Sequence, residues 1–188
     1  MGRWKPDARG RLVKAALELY GERGFEQTTV AEIANRAELT ERTFFRHFAD
    51  KREVLFAGAS ELLQVLVSTV ANAPADLAPI DAAAAGIEAA GAAIQEGGEL
   101  PRQRQTIIAA SAELQERELI KLASLASALA DALRRRGVAE PGASLTAEAA
   151  IAVFKIAFER WINEPDQQDL PGRIRESLDE LKAVTAGR

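Results

Sequence analysis

Apolar residues recur three and four positions apart along nearly all of this 188-residue chain, and strict alternation is rare. That spacing lines one side of a 3.6-residue helix and argues against strands, so the expected fold is all-α with about nine helices. A chain of this length, 47% apolar and 28% charged, has enough material for a real core, which excludes disorder throughout.

Chemistry is narrowed by what the composition lacks. There is no cysteine, which removes disulfides, thiolate metal sites and thiol catalysis. With one histidine, His47, most histidine-based metal and triad chemistry goes too. No glycine-rich phosphate loop or cluster of metal ligands stands in the chain, so an enzyme is the poorest reading and neither metal nor cofactor is expected. Met1-Gly2-Arg3-Trp4-Lys5-Pro6 carries no apolar run after its positive charges, which argues against a secretory leader. No stretch of 18 apolar residues passes without a charge or a helix breaker, so no membrane partner is expected and the location implied is the cytoplasm.

Charge is unevenly placed. Residues 1–52 carry 11 Lys and Arg against 8 Asp and Glu, a surplus of three positive charges, while residues 53–188 carry 13 against 20. A basic N-terminal segment on an acidic body suits a protein that meets an anionic polymer with one end. Alone, that signal is weak.

Helix boundaries can be read from caps and breakers. A first helix is expected from about Asp7 to Arg23, ended by Gly24. Thr29 with Glu32 three residues on is a capping box opening a short helix to Arg36, and Thr40 is an N-cap for another, through Phe48. Asp50 with Glu53 predicts a long helix to about Val70. Further helices are expected over Pro79–Glu96, Pro101–Leu114, Glu116–Arg136, Leu145–Ile162 and Leu170–Ala186. In the helix over Glu116–Arg136, Leu119, Leu122, Leu125, Leu129 and Leu133 should share a face. Arg134, Arg135 and Arg136 close it, where cations suit the helix dipole.

Residues 29–48 read as helix, tight turn, helix, with Ala37-Glu38-Leu39 as the turn. Val30, Ile33, Ala34, Leu39, Phe44 and Phe48 can face a shared core, leaving Glu41, Arg42, Thr43, Phe45, Arg46 and His47 over the other faces of the second helix. Side chains of those types suit the donors, acceptors and thymine methyl of a DNA major groove. Thr29 and Thr40 add hydroxyls beside free backbone N–H groups, and Lys51 can meet a phosphate as a point charge. Glu41 either complements the helix dipole, the preferred reading, or accepts from a cytosine amino group. A cation at Lys51 opposes the dipole of a helix starting there and needs a compensating partner.

The wording of two segments goes further. Gly24-Phe25-Glu26-Gln27-Thr28-Thr29-Val30-Ala31-Glu32-Ile33-Ala34, then Leu39-Thr40 and Thr43-Phe44-Phe45-Arg46-His47-Phe48-Ala49-Asp50-Lys51, resemble the N-terminal domain of the TetR family of transcriptional regulators. The resemblance covers about residues 9–56. It implies a helix-turn-helix DNA-binding domain over residues 1–50 and a ligand-binding and dimerisation domain over 51–188. It further implies a homodimeric regulator of a palindromic operator, in which a small molecule alters the separation of the two reading heads. Two positions depart from the family pattern. Glu38 stands where glycine is usual, at a cost on the order of 1 kcal/mol if the position is left-handed. Phe45 stands where the family prefers Tyr, and without a hydroxyl it offers only apolar contact.

The penultimate helix is apolar on nearly every side, and a helix of that kind needs cover on more than one face. A second copy is the expected cover, through the last two helices, with Ala149, Val153, Ile156, Ile174, Leu178 and Leu181 at the interface. Phe56, Leu63, Ile87, Ile94, Ile107, Ile108, Ser111, Leu122, Phe154, Phe158 and Trp161 are candidate pocket residues that can equally fill a tight core. Few ionisable groups fall among them, so an effector should be apolar or aromatic. A helical protein-interaction module without DNA binding is the alternative, separated from the first reading by the salt dependence of binding.

Overall fold

The computed structural model describes residues 7–164 and 169–187, so the reading of Met1–Pro6 lies outside the described residues. The described residues form nine α-helices and no strand: α1 Ala8–Arg23, α2 Val30–Arg36, α3 Glu41–His47, α4 Ala59–Asn72, α5 Pro79–Gln95, α6 Leu100–Ala109, α7 Ala112–Arg135, α8 Gly142–Asn163 and α9 Leu170–Thr185. A 3-10 turn, Glu53–Phe56, precedes α4. The chain divides into two compact units. One runs through Gly58 and includes Arg102–Glu118; the other comprises Ala59–Pro101 and the chain from Leu119.

In the first unit α1 buries Leu12, Ala15, Ala16, Leu19 and Tyr20, and α2, α3 and the 3-10 turn pack on it. Helices of two turns do not persist alone, and burial of Ile33, Ala34, Phe44 and Phe48 supplies what α2 and α3 lack. Arg36 adds a link from α2 to α1, with Glu22 at 2.9 Å and Glu18 at 3.3 Å.

The single helix expected from Asp50 to Val70 is broken. Asp50 Oδ1 does accept from the Arg52 and Glu53 amides, at 2.8 and 3.2 Å, but the element it opens is the 3-10 turn. Two carbonyls that would close a continuous helical ladder are taken by arginines instead. Leu55 O accepts from Arg104 Nε at 2.7 Å, and Ala57 O accepts from Arg9 on α1. Gly58, a poor helix former, follows at once.

Segment 102–118 clasps that turn. The Arg104 guanidinium lies 4.9 Å over the Phe56 ring and reaches Glu118 at 3.3 Å, while Arg117 Nε donates to Glu53 at 2.7 Å and Arg52 pairs with Glu113 at 2.9 Å. Burial pushes the Arg104 pKa down and the Glu118 carboxylate opposes that shift. The junction of α6 and α7 falls at Ala110–Ser111, earlier than the expected Leu114–Glu116, because Gln115 Nε2 caps the Ala109 carbonyl at 2.8 Å.

In the second unit α5 packs against α4, α8 and α9. Its small residues permit the approach: a Cβ on Gly86 would stand 3.1 Å from the Leu66 carbonyl oxygen, and one on Gly91 would stand 2.7 Å from Ile174 Cδ1. The core joins Leu66, Val70, Ile87, Leu129, Leu133, Trp161, Leu170 and Ile174. Glu53–Asn72 is long and apolar enough to cross a membrane by length and composition, but Val54, Leu55 and Phe56 are buried in one unit and Leu66 and Val70 in the other.

Three expectations about faces need correction. Leu119 is 59% exposed and Leu122 and Leu125 are half-buried, so the expected stripe is sealed only in its second half, at Leu129 and Leu133 with Ala126, while Leu114 is the buried residue near the start of α7. Val153, Ile174 and Leu178, expected at an interface, are buried in the core of their own chain, because α9 lays its stripe on α5 and α8. Arg136 does more than meet solvent at a helix end: it donates to the Val70, Ala73 and Pro74 carbonyls at 3.0, 2.7 and 2.6 Å, closing the C-terminus of α4.

Candidate nucleic-acid interface

The local sequence builds the α2–turn–α3 unit from its caps inward. Thr29 Oγ1 accepts from the Glu32 amide at 3.2 Å and Glu32 Oε2 accepts from the Thr29 amide at 2.9 Å, a reciprocal capping box. Arg23 joins Glu32 at 2.6 Å. The Thr29 amide, then its hydroxyl and Arg23, hold the Glu32 carboxyl below the usual carboxylate range. In the turn, the Leu39 amide donates to the Ala34 carbonyl at 2.8 Å, and Glu38 is left-handed with φ 53°. The position where glycine is usual thus has the conformation glycine favours, at a cost of about 1–2 kcal/mol for another residue. Arg11 of α1 offsets it by donating to the Ala37 carbonyl, with Glu38 Oε2 also 3.5 Å from the guanidinium.

Thr40 caps α3, its Oγ1 accepting from the Thr43 amide at 3.2 Å. Phe44 is sealed beneath, edge-on to Phe45 at 5.4 Å. Phe45 itself is 56% exposed, and Glu41, Arg42 and Arg46 are exposed with it, while Thr43 and His47 are half-buried. Arg46 lies 3.5 Å from His47 Nε2. Arg42 makes no hydrogen bond or ion pair among the described residues, leaving its planar fork of donors open. Thr40, Glu41, Arg42, Thr43, Phe45, Arg46 and His47 therefore belong to one short helix whose buried anchor is Phe44, with exposed Thr29 at the head of α2.

Lys51 stands apart. It lies in the bend before the 3-10 turn and not at the first position of a helix. Its ammonium donates to the carbonyls of Phe25 and Thr28 at 2.9 and 3.1 Å, with Glu26 O at 3.4 Å, and lies 4.3 Å from the centre of the Phe25 ring. Tyr20, buried in α1, donates to the Lys51 carbonyl at 2.6 Å, and burial, reinforced by the Asp50 charge, pushes its phenol pKa up. The roles of Arg11 and Tyr20 were not visible from motif spacing, since both act across 26 to 31 residues on backbone carbonyls.

The pocket candidates divide between the units. Phe56, Ile107, Ile108 and Ser111 are buried in the first. In the second, Ile87 and Trp161 belong to the core, Ile94, Phe154 and Phe158 pack against it, and Leu63 and Leu122 are half-buried. Phe154 and Phe158 stack at 5.9 Å, with Trp161 6.0 Å beyond. A cleft of about 460 Å³ in the second unit is lined by Ser68, Thr69, Asn72, Ala73, Pro74, Leu77 and Ala85, none of them a candidate. No cluster of metal-ligating side chains occurs among the described residues.

A capped pair of short helices, the second exposing Arg42, Phe45 and Arg46 over a sealed Phe44, forms a helix-turn-helix of the kind that DNA-binding transcription regulators carry. Residues 12–57 match the family of bacterial regulatory proteins called the tetR family, and residues 77–186 match the MftR C-terminal domain. The chain belongs to the TetR family of transcriptional regulators. It is 36% identical over 89 residues to the HTH-type transcriptional regulator TcmR of Streptomyces glaucescens, a match covering 47% of this chain and 39% of TcmR. The chain thus spans about two fifths of that relative's length. MftR of Mycobacterium tuberculosis is 24% identical over 167 residues, 87% of this chain and 84% of MftR. The same fold occurs in SmeT of Stenotrophomonas maltophilia, in its complex with triclosan, at a TM-score of 0.67 and 24% identity over 94% of this chain and 90% of that one.

Proposed function

We propose that this chain is a homodimeric, sequence-specific repressor that leaves a palindromic operator when a small apolar or aromatic molecule binds its C-terminal domain, residues 51–188. Acting on bacterial DNA, it works in the cytoplasm. The observation that carries the reading is α3, which exposes Glu41, Arg42, Phe45 and Arg46 while Phe44 locks it to the protein. Arg42 takes the role of base reader, since a guanidinium with no partner inside the described protein can pair both acceptors of a guanine. Arg46 and His47 approach phosphate or base edges, Thr29, Thr40 and Thr43 meet phosphates through their hydroxyls, and Phe45 gives apolar contact with sugar or a thymine methyl. Glu41 complements the start of α3.

The second copy seats on the exposed side of α8, where Leu145 and Ile156 are 66% and 53% exposed and Ala149 is half-buried, and takes in half-buried Leu181 of α9. The effector takes the aromatic row Phe154, Phe158 and Trp161 with Leu63 and Leu122. SmeT, of the same fold, holds triclosan, which supports a small organic molecule as effector class. A ligand shifts the dimer toward release only by its differential affinity for the two arrangements.

Selection of bound fragments from random DNA tests this reading. A palindrome with half-sites about one helical turn apart, or a multiple of it, is the expected product. Recovery of no preferred sequence would overturn it, and a thermal-shift screen silent to every apolar compound would remove the effector.

A further inference from the structure

Lysine has three ammonium N–H donors and no acceptor. At Lys51 three backbone carbonyls converge on them: Phe25 O at 2.9 Å, Thr28 O at 3.1 Å and Glu26 O at 3.4 Å. The Phe25 ring, itself buried, adds a face at 4.3 Å. The backbone on the other side of the residue is pinned as well, by the 2.6 Å bond from the Tyr20 hydroxyl to the Lys51 carbonyl. The loop that receives the ammonium is tied a second time, by Thr28 Oγ1 donating to Gly24 O at 2.9 Å. Lys51 therefore joins the end of the helix-turn-helix to the loop that launches α2.

We infer that Lys51 is a positioning residue for DNA recognition, a strut that fixes Phe25–Thr28 and so the entry of α2, and is not a phosphate contact. A phosphate would have to draw the ammonium away from all three carbonyls and from the Phe25 ring; Phe25 O would keep the Thr28 amide at 3.2 Å, but the tie from the loop to Lys51 would be gone. Through the Thr29–Glu32 box that follows directly, the strut sets how α2 lies under α3. Any flexible cation serves a phosphate, but this nest of carbonyls needs a compact ammonium, so a planar guanidinium is a poor replacement.

The test uses the full chain and the duplex it retains from a pool of random DNA, with affinity followed across a salt series for wild type, Lys51→Ala and Lys51→Arg. A strut predicts that both variants bind on the order of tenfold more weakly with an unchanged salt slope, because geometry and not an ion contact has been lost. A phosphate contact predicts a slope reduced by about 0.9 per lost contact for Lys51→Ala and near-normal binding for Lys51→Arg, and that result would overturn the inference. Wild-type binding to the duplex reports on DNA binding itself, so the two questions separate. Lysine acetylation read by mass spectrometry on wild type alone gives a second answer that does not require any variant to fold. Lys51 should resist the reagent equally with and without DNA. Ready modification in the free protein and shielding only by DNA would count against the strut.

Discussion

Arg11 reaches from α1 to the Ala37 carbonyl, at the residue before Glu38 takes its left-handed φ of 53°. The one backbone position in the helix-turn-helix that asks for glycine is thus strapped from below by a guanidinium. Glu38→Gly removes the strain but frees the unfolded chain, so its urea-unfolding free energy should stay within about 0.5 kcal/mol of wild type. Glu38→Val, which brings a β-branched side chain to positive φ, should lose about 1–2 kcal/mol. Arg11→Ala should lower stability as well, and a wild-type unfolding midpoint for it would show that the strap contributes nothing.

Arg42 and its neighbours make a separate prediction. Replacing Arg42 by Ala should flatten base preference at one position of each half-site, worth about 1–3 kcal/mol between right and wrong base. Competition binding with single-base operator variants measures this. Weaker binding with preference intact would make Arg42 a phosphate contact.

Acid should weaken the first unit. Hydrogen bonds from the Arg52 guanidinium first, then from the Glu53 and Arg52 amides, hold the Asp50 carboxyl below its ordinary value, and Glu32 is lowered by Thr29 and Arg23. For carboxyls lowered on folding, the stabilisation is complete above the unfolded pKa, about 4, and is lost as pH falls through the lowered folded value. Urea midpoints should be level from neutral pH to about 5 and decline below about 4. Asp50→Asn should start lower and decline less steeply; an unchanged acid limb would assign the decline elsewhere.

Ile156 is a large aliphatic residue left 53% exposed on α8, beside the Lys155–Glu159 pair. Ile156→Glu should halve the particle mass seen by light scattering at micromolar concentration while leaving helicity intact, since a desolvated charge is costly in an apolar contact. Retention of the wild-type mass would move the interface off this side of α8.

The sequence was most legible where short-range chemistry decides. The Thr29–Glu32 box, the Thr40 cap and the breakers at Gly24 and Glu38 each act within a few residues, and each boundary falls close to the expected place. Side chains reaching distant backbone were opaque. Arg9 and Arg104 take the carbonyls of Ala57 and Leu55 and so break a helix that Asp50 and Glu53 alone would have continued. Faces were harder than spans: Ile174 and Leu178 have the spacing of an interface stripe, yet Gly91 lets α9 come so near α5 that the stripe becomes interior. On α3 the exposed set was readable because Phe44 alone of its neighbours is sealed. The hold of Lys51 on the Phe25 and Thr28 carbonyls was not, because no spacing rule connects residues so far apart.

The first unit is not contiguous: Arg102–Glu118 supplies Arg104, Arg117 and Glu113 to the turn at Glu53–Phe56. During synthesis the reading head can begin to assemble as its first three helices leave the ribosome, but its clasp arrives only some fifty residues later. A fragment ending at Gly58 would carry all of α2 and α3 and still lack the arginine that occupies Leu55 O. Transplanting this head onto another regulator therefore means carrying Arg102–Glu118 along with the residues through Gly58.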